Sequence, residues 1–364
     1  MARTACGKSA LLLAGVLSLS LCLAGYGDGG AALRGTMQDL GILPGCKSSE
    51  AEGLNAAGQV VGYCGDDLNP HAFLWTAEGG MIALGTLPGD TMSRAHGINA
   101  AGQVVGESLG KGRALMAGSS LLVPGAAHAF IWTAEGGMKA LGTLPGDTAS
   151  SACGINAAGQ VVGWSEDAGG GQRAYLWTAE GGMKALGTLK GDRWSLGMAL
   201  NAAGQVVGVC TASEWGCHGF LWTATGGMKA LGTLPGNTGS WPRAINTAGQ
   251  AVGRSGAMLE AGQAFLWTAA GGMKALGAFP GDTESGAMAI NNAGQVVGYS
   301  GQFDPHAFLW TATGGMKALG ALPGDTVSAA TGINDAGQVV GWSGTSAHGN
   351  HHAFLWTPAK PAGG

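Results

Sequence analysis

The sequence has 364 residues, of which 46% are hydrophobic, 11% are charged and 71 are glycine, and its formal net charge is −4. Glycine at this level without a Gly-X-Y period excludes a collagen helix and indicates many tight turns. Lys and Arg form no cluster that could bind a phosphate backbone, so nucleic acid is excluded as a partner.

The first 24 residues have the features of a secretory signal peptide. Arg3 and Lys8 precede a mostly apolar run over residues 10–25, and small residues follow it. We expect cleavage between residues 24 and 32 and a linker over residues 25–36. The chain is therefore predicted to be secreted, or alternatively to stay in the periplasm or at the outer membrane.

Two other interpretations of this N-terminal run remain open. A membrane anchor would need a longer apolar stretch than this one. A lipoprotein modified at Cys22 would favour a small residue before the cysteine, where the sequence has Leu21. No other apolar run is long enough to cross a bilayer, so no membrane span is expected once the signal peptide is removed.

The rest of the chain repeats one unit seven times. The stretch GINAAGQVVG at 97–106 returns letter for letter at 154–163, and five near-copies occur elsewhere. The equivalent asparagines are Asn55, Asn99, Asn156, Asn201, Asn246, Asn291 and Asn334. Most of their intervals are close to 45 residues, which is typical of a solenoid, a propeller or an array.

Each unit contains four predicted strands, illustrated by the second copy. The strands are expected at 93–99, 103–107, 128–133 and 138–144. Between them lie the turns Asn-Ala-Ala-Gly and Glu-Gly-Gly, and Pro-Gly follows the fourth strand. Four short strands per unit, with no helical period, predict a blade of a β-propeller.

The two ends of the repeat region complement each other. The seventh copy stops after its third strand, at residues 354–357, and a matching fourth strand occurs at residues 37–45. A closed ring explains such a split unit, because the N-terminal strand removes the free edge of the last blade. We therefore predict an all-β, seven-bladed β-propeller over residues 37–358, with four antiparallel strands per blade and a tail over 359–364.

The repeated words HAFLW, at 71–75 and 352–356, and GINAAGQVVG resemble the HAF-repeat family of bacterial extracellular proteins. The resemblance covers nearly the whole chain after the signal peptide. It implies export and a repeat scaffold, and it implies no activity, cofactor or site residue. Copies three and five depart from it, with Arg173 and Gln263 in place of His.

Sequence variation is concentrated on one predicted face of the disc, called here the variable face. It consists of the segments between the second and third strands and the segments that enter each blade. The turns of the opposite face are nearly constant. Loops on a rigid frame commonly carry binding sites. The insertion at 113–124 could cover the channel or form a contact patch there.

Aromatic side chains outside the repeated core motif also map to the variable face. Half-exposed aromatic rings stack on sugars or peptides and anchor partners. Alternatively, these rings pack the loops against the blades. The candidate ligand-binding aromatics are Tyr63, Trp164, Trp194, Trp215, Trp241, Tyr299 and Trp342.

The innermost strand of each blade supplies charged candidates near the channel mouth. Residues one and three positions after a repeated serine vary between copies and share parity, so they are expected on one side of the strand. A surface ion pair is the alternative interpretation. The candidates are Glu50, Glu52, Arg94, His96 and Arg243.

Cysteine and histidine spacing indicates no metal site. Cys210 and Cys217 flank one short loop and are the best candidates for a disulfide in an oxidising compartment, and Cys46 with Cys64 is the weaker alternative. The repeated histidines fall on separate blades, too far apart to bind one ion. We predict neither a metal nor another cofactor.

No motif of a known catalytic class is present, including HExxH, GxSxG and the P-loop. The leading hypothesis is a secreted, non-enzymatic, monomeric protein that binds carbohydrate or protein at the cell surface through its variable face. One alternative is an exported hydrolase or lyase with its site at the channel mouth. Another is a structural protein of the cell envelope.

Overall fold

The computed structural model describes residues 33–65, 69–110, 127–213, 216–257, 261–347 and 349–359. These residues form seven four-stranded antiparallel sheets and no helix. Within this part of the chain, no helical segment has the length and hydropathy that a bilayer span requires. The predicted signal peptide, most of the predicted linker and tail, and the insertion at 113–124 lie outside the described residues.

The predicted turns form at the expected places. In the second unit Asn99 Oδ1 accepts hydrogen bonds from the backbone N–H groups of Ala101 and Gln103, and Gly102 has a φ of 75°. Thr133 Oγ1 caps the Glu-Gly-Gly turn, in which Gly137 has a φ of 63°. These turns separate the strands at fixed positions, so all seven copies fold into the same unit.

The first three blades follow one another along the chain. Blade 1 is built from β2(Ser49–Leu54), β3(Val60–Cys64), β4(His71–Thr76) and β5(Gly80–Ala83). Blade 2 is built from β6(Met92–Ile98), β7(Val104–Leu109), β8(Ala127–Thr133) and β9(Gly137–Ala140). Blade 3 is built from β10(Asp147–Ile155), β11(Val161–Asp167), β12(Gln172–Thr178) and β13(Gly182–Ala185).

Blades 4, 5 and 6 have the same order of strands. Blade 4 is built from β14(Trp194–Leu200), β15(Val206–Ser213), β16(Gly216–Thr223) and β17(Gly227–Ala230). Blade 5 is built from β18(Gly239–Ile245), β19(Ala251–Gly256), β20(Gln263–Thr268) and β21(Gly272–Gly277). Blade 6 is built from β22(Ser285–Ile290), β23(Val296–Ser300), β24(His306–Thr311) and β25(Gly315–Ala318).

Blade 7 joins the two ends of the repeat region. Its first three strands are β26(Val327–Ile333), β27(Val339–Gly344) and β28(His351–Pro358), and its outermost strand is β1(Gly35–Asp39). The register pairs Gly35 with Pro358 and Asp39 with Phe354. The predicted seven-bladed, four-stranded, closed architecture is confirmed. The closing strand begins at Gly35, inside the segment predicted as linker.

The hydrophobic core lies between the blades. Between blades 1 and 2, for example, Val61 and Leu74 pack with Val104 and Phe130 in one cluster. The second and third strands of neighbouring blades supply most of each such cluster. The largest fully buried side chains are the aromatic residues of the third strands, which are Phe73, Phe130, Tyr175, Phe220, Phe265, Phe308 and Phe354.

A closed ring of asparagine hydrogen bonds links all seven blades. The side-chain N–H of Asn55 donates to the backbone carbonyl of Asn99 in the next blade at 3.1 Å, and Asn334 donates to the carbonyl of Asn55 to complete the ring. The same asparagine also makes the local turn, so the repeated GINAAGQVVG serves both the blade and its neighbour. The other five links start from Asn99, Asn156, Asn201, Asn246 and Asn291.

The repeated serines of the innermost strands form a second set of links. Ser93 Oγ donates to the carbonyl of Gly85 in blade 1 and accepts the N–H of Ala72 in the same blade. The six equivalent serines make the same two bonds to the blade before them. The remaining members are Ser49, Ser150, Ser195, Ser240, Ser285 and Ser328.

Candidate functional site

Each innermost strand contains a β-bulge at the same position. In blade 1, Ala51 pairs with Gly62 and Gly53 pairs with Val61, which leaves Glu52 without a partner in the ladder. Bulges re-aim side chains and are common next to active sites. The seven bulge residues, called here the bulge ring, are Glu52, His96, Cys153, Met198, Arg243, Met288 and Thr331.

The bulges alter the alternation that the sequence analysis assumed. Paired residues in an antiparallel ladder lie on one side of the sheet. Past Ala51, the register places Gly53 rather than Glu52 on the side occupied by Glu50. The shared parity expected for Glu50 and Glu52, and for Arg94 and His96, therefore does not hold. The bulge gives the second residue of each pair its own direction.

Electrostatic interactions across the channel indicate that several bulge-ring residues face a common space. Arg243 of blade 5 acts on the carboxyl of Glu52 in blade 1, on the thiol of Cys153 in blade 3 and on Tyr299 in blade 6. Blades 1 and 5 are not neighbours, so this interaction passes through the channel. The ring therefore combines an acid, a base and a cation with two thioethers, a thiol and a hydroxyl.

His96 and Glu52 form the acid–base part of the ring. Burial raises the pKa of the Glu52 carboxyl, while the charges of His96 and Arg94 act in the opposite direction. Burial works to lower the pKa of His96, but the hydrogen bond and charge of Glu107 raise it above its ordinary value. His96 Nε2 lies 3.9 Å from Glu107 Oε1. Both groups of the ring thus keep their protons to a higher pH than they would in water.

A chain of polar and aromatic contacts joins blades 7, 1 and 2 at the channel mouth. Glu50 accepts a 2.7 Å hydrogen bond from the Tyr63 hydroxyl and lies 3.1 Å from His351 Nδ1. The guanidinium of Arg94 lies 4.6 Å from the centroid of the Tyr63 ring. The rings of His351 and Trp342 stack with centroids 4.1 Å apart. Four of these five residues were predicted as site residues, and the structure brings them together.

A second chain joins blades 5 and 6. The Arg254 guanidinium lies 5.7 Å from the Trp241 ring centroid, and its Nε lies 3.3 Å from Glu284 Oε1. The Tyr299 hydroxyl donates to the same Glu284 oxygen at 3.5 Å. Trp241 and Tyr299 were predicted, whereas Arg254 and Glu284 were not. Arg254 stands at the same repeat position as Tyr63 and Trp342, which is the signal that could have identified it.

Between these two chains lies a cleft of about 280 Å³ at the junction of blades 6 and 7. Tyr299 and Trp342 contribute its aromatic walls, and Glu284 contributes a carboxylate. Met288 and Thr331 of the bulge ring also line it. The junction cleft therefore connects the variable face with the channel.

Phe303 is a further candidate that the sequence analysis missed. Its side chain is 73% exposed, the highest value among the large hydrophobic residues that the structure describes as exposed. It sits in the loop between β23 and β24, between Gln302 and Pro305, which both line the junction cleft. A bare aromatic ring beside a cleft is available to a ligand.

The larger cleft, about 480 Å³, lies on the constant face between blades 2 and 3. Its lining includes Gln103, Gln160 and Trp177, whose residue types recur in every copy. A groove built from repeated residues is a consequence of blade packing. We therefore assign the candidate site to the smaller junction cleft, whose residues differ from blade to blade.

The remaining predicted aromatics lie apart from the junction cleft. Trp164 packs against Met92 and Leu109 of blade 2. Trp194 is half-buried at the start of β14, under the Arg193 guanidinium. Trp215 lies outside the described residues. The packing interpretation thus applies to Trp164, while Trp194 remains available on the variable face.

The predicted disulfide between Cys210 and Cys217 is not formed, and both residues are thiols. Cys210 pairs with His218, and Cys217 pairs with Thr211. Since Thr211 follows Cys210 directly, the two cysteines project from opposite faces of blade 4. Proximity along the chain was a misleading signal, because strand pleating separates the two sulfur atoms.

Several repeat histidines bind a carboxylate of their own blade. His128 Nδ1 lies 2.9 Å from Asp90 Oδ2, and His218 makes the equivalent contact with Asp192. In blade 3, Arg173 replaces the histidine and pairs with Asp147. These pairs tie the third strand to the turn that enters the blade. Among the described residues, no group of three metal-binding side chains comes together.

No family model matches the sequence, and no curated protein is similar to it at a significant level. Solved structures are similar in fold. Virginiamycin B lyase from Staphylococcus aureus has a TM-score of 0.55 and 12% identity, covering 89% of this chain and 100% of the lyase chain. A streptogramin B lyase has a TM-score of 0.56 and 12% identity, covering 90% of this chain and 98% of its own.

The β-propeller domain of the Trilobed protease from Pyrococcus furiosus has a TM-score of 0.55 and 11% identity. The match covers 85% of this chain and 96% of that domain, which has an open velcro topology. In this chain, by contrast, β1 completes blade 7. At these identities the likenesses establish the propeller fold and nothing finer.

Proposed function

We propose that this protein binds a carbohydrate at the junction cleft of its variable face. The observation that carries the proposal is the placement of Tyr299 and Trp342 on a cleft that also holds the Glu284 carboxylate. Aromatic rings stack on the apolar face of a sugar, and a carboxylate accepts hydrogen bonds from its hydroxyl groups. The combination favours a sugar over an extended protein surface.

The size of the cleft supports a small ligand. Its volume of about 280 Å³ is near the lower end of small-molecule sites, roughly 300–1,000 Å³. The neighbouring Phe303 ring is exposed and could contact a second sugar unit outside the cleft. We therefore expect recognition of one or two terminal units of a longer glycan.

The test is a calorimetric or array-based screen of glycans with the protein and with Phe303→Ala. The ring is exposed, so its removal should leave the thermal midpoint unchanged. Binding should weaken by about 30-fold if the ring contributes about 2 kcal/mol. Ile82→Ala is the matched control, because Ile82 is also an exposed apolar residue, 47% accessible, and lies on outer strand β5 of blade 1.

Trp342→Ala should remove binding more completely, but it also removes the stacking on His351. Its folding is checked by circular dichroism before affinity is compared. Binding that is equal in the protein, Phe303→Ala and Trp342→Ala would contradict the proposal. Binding lost instead in Trp194→Ala would move the site to blade 4.

A hydrolase or lyase is the second candidate, favoured by the raised pKa values of His96 and Glu52 in the bulge ring. A protonated carboxyl facing a channel can act as a general acid. Its test is turnover of any glycan that binds. Glu52→Gln should abolish turnover and leave binding intact, and a bound glycan that is recovered unchanged would remove this candidate.

Export and membership of the HAF-repeat family are also proposed. They are supported by the signal-like N-terminus and by the words HAFLW and GINAAGQVVG. The expected carbohydrate partner then lies at the cell surface or outside it. Fractionation of producing cells, followed by N-terminal sequencing of the protein, tests export and the cleavage position together.

A further inference from the structure

In the first copy of the repeat, two positions that touch each other are both cysteine, a combination that no other copy has. Cys46 occupies the place of the Asp in the Leu-Pro-Gly-Asp turn, and Cys64 occupies the place of the Ser that follows Val-Val-Gly-X. The two positions are separated by the same number of residues in every blade. Cys46 lies in the connection from the closing strand β1 to blade 1, and Cys64 ends β3.

Equivalent residues in two other blades are in direct contact. In blade 6, Ser300 Oγ donates to Asp282 Oδ2 at 2.7 Å. In blade 5, Asn237 Nδ2 donates to Ser255 Oγ at 3.2 Å. The turns also share a backbone hydrogen bond. The Cys46 N–H donates to the Leu43 carbonyl, just as the Asp282 N–H donates to the Phe279 carbonyl. Both members of a contacting pair are therefore cysteine in blade 1.

The local surroundings keep the two thiols together. Cys64 accepts the backbone N–H of Leu43 at 3.1 Å, which places the Cys46 turn over it, and Cys46 packs on the cluster that contains Cys64. Burial, together with a hydrogen bond from Cys46, raises the pKa of the Cys64 thiol to about 12. Both residues are thiols in this structure; Cys46 is half-buried and Cys64 is buried. Disulfide formation requires two thiols in contact and oriented toward each other, and the hydrogen bond between Cys46 and Cys64 supplies the contact.

We propose that Cys46 and Cys64 form a disulfide that fastens the connection from the closing strand to blade 1. The pairing replaces the Cys210–Cys217 pair as the oxidised site of the protein. It lies where the ring of blades is joined, so it restrains the segment through which β1 enters blade 1. The proposal does not depend on the ligand of the junction cleft.

The reaction is an ordinary thiol–disulfide exchange with a small disulfide such as oxidised glutathione. The thiolate of Cys46, the more accessible residue, attacks one glutathione sulfur and displaces the other as a thiolate. The Cys64 thiolate then attacks Cys46 Sγ and displaces the second glutathione. The two cysteine protons pass to the two displaced glutathione thiolates, so one molecule of oxidised glutathione becomes two of the reduced form. The high pKa of Cys64 makes the second step faster at alkaline pH.

The first test is chemical and uses the full chain, purified with its thiols reduced. The protein is incubated with oxidised glutathione, alkylated under denaturing conditions, digested and analysed by mass spectrometry. A linked pair of peptides containing Cys46 and Cys64 is expected, with every other cysteine alkylated. Alkylation of both Cys46 and Cys64, or a link from either to another cysteine, would overturn the proposal.

The second test measures stability with a variant that restores the pair found in blade 6. Cys46→Asp with Cys64→Ser should fold, because six blades already have an acid or amide and five have a serine at these positions. The oxidised natural protein should melt about 5 °C above its reduced form. The double variant should show no response to a reductant. An equal midpoint for the oxidised and reduced natural protein would refute the stabilising role.

Discussion

The buried asparagines of the repeated turn each use both ends of their amide. In blade 5, Asn246 is 4% exposed, and its Nδ2 donates to the carbonyl of Asn291 at 3.1 Å and to Gln250 Oε1 at 2.7 Å. Its Oδ1 accepts the N–H groups of Ala248 and Gln250. Only an amide can donate and accept in this geometry, so an isosteric acid cannot replace it.

We expect Asn246→Asp to lower the free energy of unfolding by about 3 kcal/mol, because a buried carboxylate would face the Asn291 carbonyl. The Gln250 side chain can rotate its amide to donate to the new carboxylate, but the backbone carbonyl of Asn291 has no hydrogen to donate. Urea unfolding checks the value. Asn237→Asp is the control, since Asp occupies this position in most other copies, and it should be nearly neutral. Equal stability of the two variants would contradict this role of the ring.

The glycine of Val-Val-Gly is required by a close approach of two strands. A Cβ atom at Gly106 would lie 1.9 Å from the backbone oxygen of Arg94 and 2.9 Å from Ala95 Cα. The equivalent glycines of the other blades meet the same backbone carbonyl. The approach occurs one residue before the bulge, where the innermost strand bends towards its neighbour.

Gly106→Ala should therefore destabilise the protein by about 3 kcal/mol, at the upper end of the cost of overpacking. The comparison is Gly216→Ala, since a Cβ there meets nothing within 4 Å and the residue also lies in a strand. Thermal denaturation of both variants measures the difference. A midpoint for Gly106→Ala close to that of Gly216→Ala would show that the strands separate at little cost.

At the scale of the strand, the repeat in the sequence predicted the order of the strands but not the register in which they pair. The turns and the aromatic third strands repeat in every copy, so the order of strands in a blade was predictable from the sequence. The bulge was not, because it changes the pairing of strands without changing the spacing of hydrophobic residues. As a result, the sequence placed Glu50, Arg94 and His96 at the channel mouth. It did not predict that His96 points in a different direction from Arg94, nor that His96 belongs to the bulge ring.

Contacts between blades were also beyond sequence reasoning. His351, which pairs with Glu50 of the next blade, stands at a position where other copies have Pro, Ala, Gln, Cys or Gly. Nothing in the pattern relates residues so distant in the chain. Likewise, the junction cleft depends on how Tyr299 and Trp342 of adjacent blades face one another.

The His351–Glu50 pair predicts a pH-dependent stability. Burial works to lower the pKa of His351, but the hydrogen bond and charge of Glu50 raise it above the ordinary value of about 6.5. The stabilising contribution is complete below about pH 6.5 and is lost as pH rises through the raised pKa. Stability measured between pH 5.5 and 9 should therefore decline more steeply in the natural protein than in His351→Gln.

Glu50→Gln should flatten the same profile, because it removes the charge that raises the pKa of His351. It keeps an acceptor for the Tyr63 hydroxyl, so the local structure is preserved. The double variant should be no flatter than either single variant. A pH profile of His351→Gln parallel to that of the natural protein would show that the pair contributes no proton-linked stability.

For the whole molecule, the decisive prediction came from the split unit. The period indicated a repeat protein, but only the matching fragments at the two ends distinguished a ring from an open array. The structure places those fragments side by side in blade 7. The function could not be predicted to the same degree, because the repeats constrain the frame and leave the variable face free.

Removal of residues 1–39 should destabilise the entire ring, because β28 would lose its partner and expose an edge strand. We expect a lower thermal midpoint and aggregation on heating, followed by light scattering. A chain beginning at Leu33 keeps the whole of β1 and serves as the comparison. Indistinguishable melting of the two truncated chains would mean that closure by β1 contributes nothing to stability.

The pairing of β1 with β28 also sets a condition on how the protein can be made. Gly35 and Pro358 are more than three hundred positions apart in the chain. Because β1 is synthesised first, it stays unpaired until β28 has left the ribosome. Such long-range pairing is slow and leaves an intermediate prone to aggregation. Circular permutation that places β1 after β28 would make this pairing as local as the other strand pairs of a blade, so we expect it to raise the yield of folded protein more than its stability.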